Sequence, residues 1–202
     1  MSQLPLRYTT PPGWIGLVMR DPIALLNDHA HLEKKAAANA LELLCRRPDH
    51  LNSAFADQWA ATMTSVARDE VEHLAMVSKL LTRRGGRLTN THRNAYAAAL
   101  RQLVRLGHGP EELFDRLLVS ALIEVRSCER FELLAHQIDD RELSKLYQGL
   151  SRSERGHYLV LVELARQMMP AAVDAHWDHM LEAEAKIIAA QLPGPSMHSG
   201  VS

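Results

Sequence analysis

Four long stretches of the chain repeat apolar residues every three or four positions, which is the period of an amphipathic helix. They predict helices over about residues 21–47, 53–84, 110–137 and 141–169, and Pro48, Gly85 and Pro170 follow three of them as helix-ending residues. About residues 95–106 have helical composition within a crossover, and a further helix is predicted over about 172–190. The pattern therefore predicts two helical hairpins, a long crossover and an accessory C-terminal helix.

This arrangement is typical of an all-α, ferritin-like four-helix bundle. The 202 residues are enough for one buried core, and we predict a single domain over 1–192 followed by a flexible tail over 193–202. Aromatic residues make up only 5% of the chain, whereas alanine and leucine are abundant, so the composition also favours helices over sheets.

The composition limits the partners and the compartment that we expect. A net charge of -1 provides no general attraction to nucleic acid or membrane, so a polyanionic partner must bind a local patch. Cys45 and Cys128 lack the spacing of a zinc or redox pair. No stretch has the roughly 18 apolar residues of a membrane span, and the first residues lack a signal-peptide pattern. We expect a soluble, cytoplasmic protein with reduced thiols.

Each predicted hairpin carries one lone glutamate and one Glu-x-x-His pair on its apolar stripes. Four carboxylates and two imidazoles are the ligands with which ferritin-like bundles hold two metal ions. Oxygen donors with one imidazole per ion suit iron or manganese better than a structural zinc ion. The predicted metal ligands are Glu33, Glu70, His73, Glu124, Glu154 and His157.

The position of these residues on the apolar stripes supports a metal site, whereas the Glu-x-x-His spacing alone does not. With 14 glutamates and 11 histidines, the chain is expected to contain about one Glu-x-x-His pair by chance. An uncompensated charge on a buried stripe, however, costs several kcal/mol. The midpoints between the facing glutamates, at positions 51.5 and 139, also fall on the two predicted turns. The alternative is two buried, hydrogen-bonded Glu/His pairs that bind no metal.

Three further residues are placed to support the predicted ligands. Asp69 and Ser153 each precede a predicted histidine ligand by four residues, a helical spacing that allows contact with the distal ring nitrogen. His29 lies one turn before Glu33 and is predicted to be a core histidine or to support that ligand.

Four segments of the chain resemble the MiaE family of bacterial tRNA hydroxylases. The most specific parts are Glu-Lys-Lys-Ala-Ala and Glu-x-Arg-Ser-Cys-Glu-Arg-Phe, and the resemblance extends over roughly residues 12–169. The four segments are His29–Ala37, Asp69–His73, Ile123–Phe131 and Ser153–His157.

The resemblance implies a di-iron centre and O2-dependent hydroxylation of the isopentenyl group of 2-methylthio-N6-isopentenyladenosine, next to the tRNA anticodon. It further implies that Glu33 and Glu124 are terminal ligands, that each histidine binds one iron, and that Glu70 and Glu154 bridge the two ions. Because no flavin, nicotinamide or iron–sulfur motif is visible, it also implies an external electron donor of the reductase or ferredoxin type.

A tRNA substrate requires a basic surface, and one part of the chain is suited to form it. Between Glu72 and Glu111 there are seven basic residues and no acidic one. Such a segment can neutralise phosphates, although the alternative is a solvated basic loop. The residues that we predict to bind tRNA are Arg83, Arg84, Arg87 and Arg93.

Two other functions are compatible with the same pattern. A ferritin-like iron oxidase or storage protein uses the same six ligands and assembles into a shell. A helical nucleic-acid-binding domain with coincidental Glu/His pairs binds no iron. The mass of the native particle distinguishes the first of these, and the iron content distinguishes the second.

Overall fold

The computed structural model of the protein describes residues 3–48 and 51–201. Within these residues it is all-helical, and its only β feature is an isolated bridge between Pro193 and Gly200. None of these helices is long and apolar enough to cross a membrane. The helices are α1 (Gly13–Val18), α2 (Pro22–Leu44), α3 (Ser53–Arg83), α4 (Ala95–Arg101), α5 (Pro110–Gln137), α6 (Arg141–Met168) and α7 (Val173–Ala189).

Contacts between residues group the described chain into two compact units. The first unit lies within residues 22–93, and the second consists of the chain before Pro22 and after Arg93. The five predicted helices outside the crossover correspond to α2, α3, α5, α6 and α7, whereas α1 was not predicted. A single domain over 1–192 stays a prediction.

The first unit is a hairpin of α2 and α3. Trp59 on α3 is fully buried, and its indole N–H donates a hydrogen bond to the carbonyl oxygen of Leu43 at 3.0 Å. Further from the turn, Ala40 on α2 clusters with Val66 and Ala67 on α3. Small side chains let the two backbones approach closely, so the register of the hairpin is fixed at two depths.

α3 ends in a Schellman turn built by two glycines. Gly85 has a φ of 83°, and its N–H donates to the carbonyl oxygen of Thr82 at 3.0 Å. The N–H of Gly86 donates to the carbonyl oxygen of Leu81 at 2.9 Å. A Cβ atom at Gly86 would overlap the Leu81 side chain and lie 2.9 Å from Cγ2 of Ile23. The chain therefore leaves α3 in a fixed direction, close to the start of α2.

The second unit is built around α5, which packs against α1, α4, α6 and α7. Asp140 caps α6, because its side chain accepts hydrogen bonds from the N–H groups of Glu142 and Leu143 at 3.1 Å. Ser144 donates to the carbonyl oxygen of Ala135 at 2.6 Å and closes the turn between α5 and α6. α5 is consequently buried on most of its circumference.

A buried ion-pair network joins the accessory helices to α5. Arg126 is fully buried, and its Nε and Nη2 atoms donate to both carboxylate oxygens of Glu184 on α7 at 2.8 Å. Tyr96 on α4 donates a hydrogen bond to the same carboxylate at 2.9 Å. The third guanidinium nitrogen, Nη1 of Arg126, donates to Glu129 at 2.6 Å and to the carbonyl oxygen of Tyr8 at 3.0 Å. Burial opposes protonation of Arg126, but its hydrogen bonds to Glu184 raise the pKa of the guanidinium.

The end of the chain differs from the predicted flexible tail. Residues 197–200 are buried, and the ring of His198 stacks on Tyr96 with 4.5 Å between the ring centroids. Ser199 accepts hydrogen bonds from the indole of Trp14 and from Arg130, both at 3.2 Å. The segment has no helical period, and it is held by partners far away in the sequence.

We expect the substitution Glu184→Gln to lower the free energy of unfolding by about 2–4 kcal/mol, because the buried Arg126 loses its main counter-charge. Urea denaturation followed by circular dichroism measures the change. Asp174→Asn is the control, since it breaks an exposed ion pair with Arg166 and should have a much smaller effect. Equal losses in the two variants would contradict a central role for the buried pair.

We expect Cys128 to resist alkylation in the native protein. Its thiol is buried and donates to the carbonyl oxygen of Ser151 at 3.2 Å, and burial raises the pKa of the thiol to about 12. The reactive thiolate is therefore scarce at about pH 8, where the exposed Cys45 can react. Mass spectrometry after iodoacetamide treatment should show one labelled cysteine in the native protein and two after denaturation. Native labelling of the Cys45→Ser variant would disprove this expectation.

Candidate metal centre

The first unit contains a buried cluster of two carboxylates and one imidazole. Nδ1 of His73 on α3 lies 3.7 Å from Oε2 of Glu33 on α2, and 3.7 Å from Oε2 of Glu70 on α3. One ligand atom of each residue lies within 4.8 Å of the others. All three residues are at most 6% exposed. The i,i+3 spacing places Glu70 and His73 on one face of α3, as the sequence pattern indicates.

His29 supports the glutamate of this cluster. It is fully buried one turn before Glu33 on α2, and its Nε2 atom hydrogen-bonds Oε1 of Glu33. The other oxygen of that carboxylate is the one that faces His73. His29 therefore orients the carboxylate with one oxygen directed into the cluster.

The second unit repeats this construction. Nδ1 of His157 on α6 lies 3.6 Å from Oε2 of Glu154, and Glu124 on α5 contributes a third ligand atom within 4.8 Å of theirs. These residues are also at most 6% exposed. Each hairpin thus brings together one glutamate from its first helix and a Glu-x-x-His pair from its second helix.

Ser153 and Asp69, which we predicted to contact the distal ring nitrogens of the two histidines, differ from each other in their surroundings. Oγ of Ser153 lies 3.4 Å from Nε2 of His157, the nitrogen that is directed away from Glu154. Oδ1 of Asp69 accepts hydrogen bonds from Arg68 at 3.2 and 2.9 Å, and its contact with His73 stays a prediction. A histidine that binds metal through one nitrogen usually hydrogen-bonds through the other, so the position of Ser153 suits that role.

An ion pair beside the second cluster was not predicted. Arg155 lies between Glu154 and His157 in the sequence, and its Nη2 atom donates to Glu132 on α5 at 2.9 Å. The pair joins α6 to α5 next to the two α6 residues of the cluster. Many charged residues on the flanks of these helices have a compatible spacing, so the sequence does not identify this particular pair.

The electrostatics of both clusters favour a bound cation. Two carboxylates held together away from water repel each other, and a cation bound between them would relieve this repulsion. Each cluster offers carboxylate oxygens and one imidazole nitrogen but no thiolate. This donor set fits a divalent first-row ion such as iron or manganese, and it differs from the sulfur-rich sites of structural zinc.

The four basic residues that we predicted to bind tRNA belong to the first unit. Arg83 is the last residue of α3, and Arg84 follows it at the Schellman turn. Arg83, Arg87 and Arg93 are exposed, whereas Arg84 is half-buried. The structure therefore places these residues at the end of α3 and in the segment that follows it.

Comparison with known proteins identifies relatives over nearly the full length of the chain. The family model described as tRNA-(MS[2]IO[6]A)-hydroxylase (MiaE) matches residues 2–199. A curated tRNA 2-(methylsulfanyl)-N(6)-isopentenyladenosine(37) hydroxylase from Pseudomonas putida is 37% identical, over 95% of this chain and 90% of its own. A protein of the same name from Salmonella typhimurium is 31% identical, over 97% of this chain and 88% of its own.

A solved structure has the same fold. It is described as Protein 43 with aldehyde deformylating oxygenase activity from Synechococcus, and it matches with a TM-score of 0.87 and 30% identity. The match covers 99% of this chain and 98% of that chain. It confirms the predicted all-α, ferritin-like fold class. Because the family model and both curated relatives match almost the entire sequence, the chain belongs to the MiaE family.

Proposed function

We propose that the protein is a di-iron, O2-dependent monooxygenase that hydroxylates the isopentenyl group of 2-methylthio-N6-isopentenyladenosine in tRNA, next to the anticodon. One observation carries this proposal: buried carboxylate–imidazole clusters occur in a chain that is 37% identical to a hydroxylase named for this nucleoside. The description of the solved structural relative as an oxygenase supports oxygen chemistry on this fold.

In this proposal the two clusters together hold two iron ions. Each histidine would provide one imidazole, and its Nδ1 is the nitrogen nearest the neighbouring carboxylate. As the family resemblance implies, Glu33 and Glu124 would hold the ions as terminal ligands, and Glu70 and Glu154 would be the shared carboxylates. The four carboxylates carry the negative charge that two divalent cations require.

The overall reaction converts a C–H bond, O2, two electrons and two protons into a C–OH group and water. Bound iron would supply the electron-transfer chemistry, and an external donor of the reductase or ferredoxin type would return two electrons in each cycle. The chain orients the ligands through His29 and Ser153 and keeps them buried. A buried site protects reactive species from water until the substrate is present.

The substrate must reach buried ligands, so the modified base has to leave the stack of the anticodon loop. Arg83, Arg84, Arg87 and Arg93 would bind the phosphates that flank it and fix the register of the tRNA. A tRNA substrate also implies a cytoplasmic location. A ferritin-like iron oxidase would share the ligands, but the names of the curated relatives favour hydroxylation.

Nucleoside mass spectrometry tests the reaction directly. Iron-loaded, reduced protein is incubated with O2 and tRNA that carries the isopentenylated nucleoside, and we expect a gain of one oxygen atom. With isotopically labelled O2, the added oxygen should carry the label. Glu124→Ala should abolish the product because it removes one of the proposed ligands. Unchanged nucleoside with the iron-loaded protein, or oxygen derived from water, would refute the proposed reaction.

A matched pair of substitutions on α3 tests the metal site without relying on activity. Glu70 is buried in the first cluster, whereas Glu72 is exposed two residues away. After anaerobic loading, we expect about two irons per chain in Glu72→Gln and fewer than one in Glu70→Gln, measured by elemental analysis. The metal-free Glu70→Gln variant should also be more stable than the metal-free wild type, because a buried charge is removed. Equal iron contents would exclude Glu70 as a ligand.

A further inference from the structure

Residues 86–93, which we call the pinned segment, follow α3 and are held against α2 near both ends. At the first end, Gly86 lies against the side chains of Leu81 and Ile23, which a Cβ atom at this position would displace. At the other end, His92 contacts two residues of α2. The pinned segment is thus fixed at two separate points along its length.

The contacts of His92 use both of its ring nitrogens. Nδ1 lies 2.8 Å from Nζ of Lys35, and Nε2 lies 2.7 Å from Oδ1 of Asp28. Because an ammonium group can only donate, Nδ1 must accept, and a hydrogen on Nε2 is donated to Asp28. The His92 and Asp28 side chains are only 8% and 11% exposed, so this hydrogen bond is largely shielded from water.

Thr89 provides a third attachment. Its Oγ1 atom lies 3.0 Å from Nε2 of His31 and accepts from Asn27 at 3.2 Å, and its backbone N–H donates to Asn27 at 2.9 Å. The rings of His31 and His92 stack with 4.8 Å between centroids and 2° between planes. The attachment points on α2 therefore extend from Ile23 to Lys35 and include the turn that carries Glu33.

The pinned segment contains two arginines and no acidic residue. Arg87 and Arg93 are exposed near its two ends, and its one large apolar side chain, Leu88, is 42% exposed. Nucleic-acid interfaces are more polar and more positively charged than protein–protein interfaces, so a phosphate backbone suits this surface of cations and polar groups. Fixing the backbone that carries the two arginines before binding reduces the entropy lost when they contact phosphates.

We propose that the pinned segment is a preformed phosphate-binding element for tRNA and that His92 is its positioning residue. This inference rests on the proposed function. His92 does not contact the tRNA; it acts through Arg87 and Arg93. Since the segment is attached to α2 on both sides of Glu33, it also sets the distance between the bound phosphates and that proposed metal ligand.

A double-mutant cycle in the full-length protein tests this coupling. Fluorescence anisotropy with labelled tRNA over a range of salt concentrations gives the Kd and its salt dependence for Arg87→Ala, His92→Ala and the double variant. Arg87→Ala should reduce the slope of log Kd against log salt by about one. His92→Ala should weaken tRNA binding by about five- to tenfold, because the segment then spends less time in the position that binds phosphates. Arg87→Ala should then have a smaller effect in the His92→Ala background.

Arg141 provides the matched control, because it is an exposed arginine in the second unit. Arg141→Ala should change Kd by the same factor in the wild-type and His92→Ala backgrounds. Asp28→Asn, which retains an acceptor for His92, should preserve tRNA affinity, whereas Asp28→Leu should reproduce the loss. Additive effects of Arg87→Ala and His92→Ala would overturn the positioning role.

Turnover and iron content separate positioning from a general structural role. His92→Ala should raise KM for tRNA while kcat and the iron content remain those of the wild type. Loss of iron in His92→Ala would show that the residue maintains the metal site instead, and would overturn the inference. Failure of the wild-type protein to hydroxylate tRNA would refute the proposed function, whereas the binding cycle tests the pinned segment independently of turnover.

Discussion

Charge buried inside a protein must be compensated, and this constraint determines which parts of the chain can be polar and internal. The ion-pair network of the second unit balances its charges within the protein, because Arg126 and Arg130 face the carboxylates of Glu184 and Glu129. The two ligand clusters are different, since each combines two carboxylates with a single imidazole. The ion-pair network stabilises the scaffold, and the two clusters provide the donor atoms of a candidate metal site.

The ion-pair network and the second cluster lie on opposite sides of α5. Glu124 belongs to the second cluster, while Arg126, two residues further along the helix, pairs with α7. The Arg-Ser-Cys-Glu-Arg-Phe motif resembles a family signature in the sequence, and the structure gives several of its residues a physical role. Arg126, Glu129 and Arg130 attach the accessory elements and the last residues to α5. The same turns of α5 therefore carry a cluster residue and anchor the accessory elements.

The long helices could be predicted from sequence because their apolar period is regular and their ends carry strong stop signals. The residues of the two clusters could be predicted for a related reason, because an i,i+3 spacing fixes which side chains share a helix face. The short helix α1 and the ordered residues 197–200 lack such periodicity. Trp14 and Ser199, which hydrogen-bond each other, are 185 positions apart, and a local pattern contains no information about such a contact. The same applies to His92 and Asp28.

The burial of Cys128 has a consequence if the protein works as the proposed oxygenase. This thiol lies one turn beyond Glu124 on α5, so in a working oxygenase it would be close to strongly oxidising chemistry. Oxidation to sulfenic acid begins from the thiolate, and the raised pKa of Cys128 keeps the sulfur protonated. Under the proposed function, the packing of α5 against α6 would therefore protect this thiol from oxidation by the reaction itself.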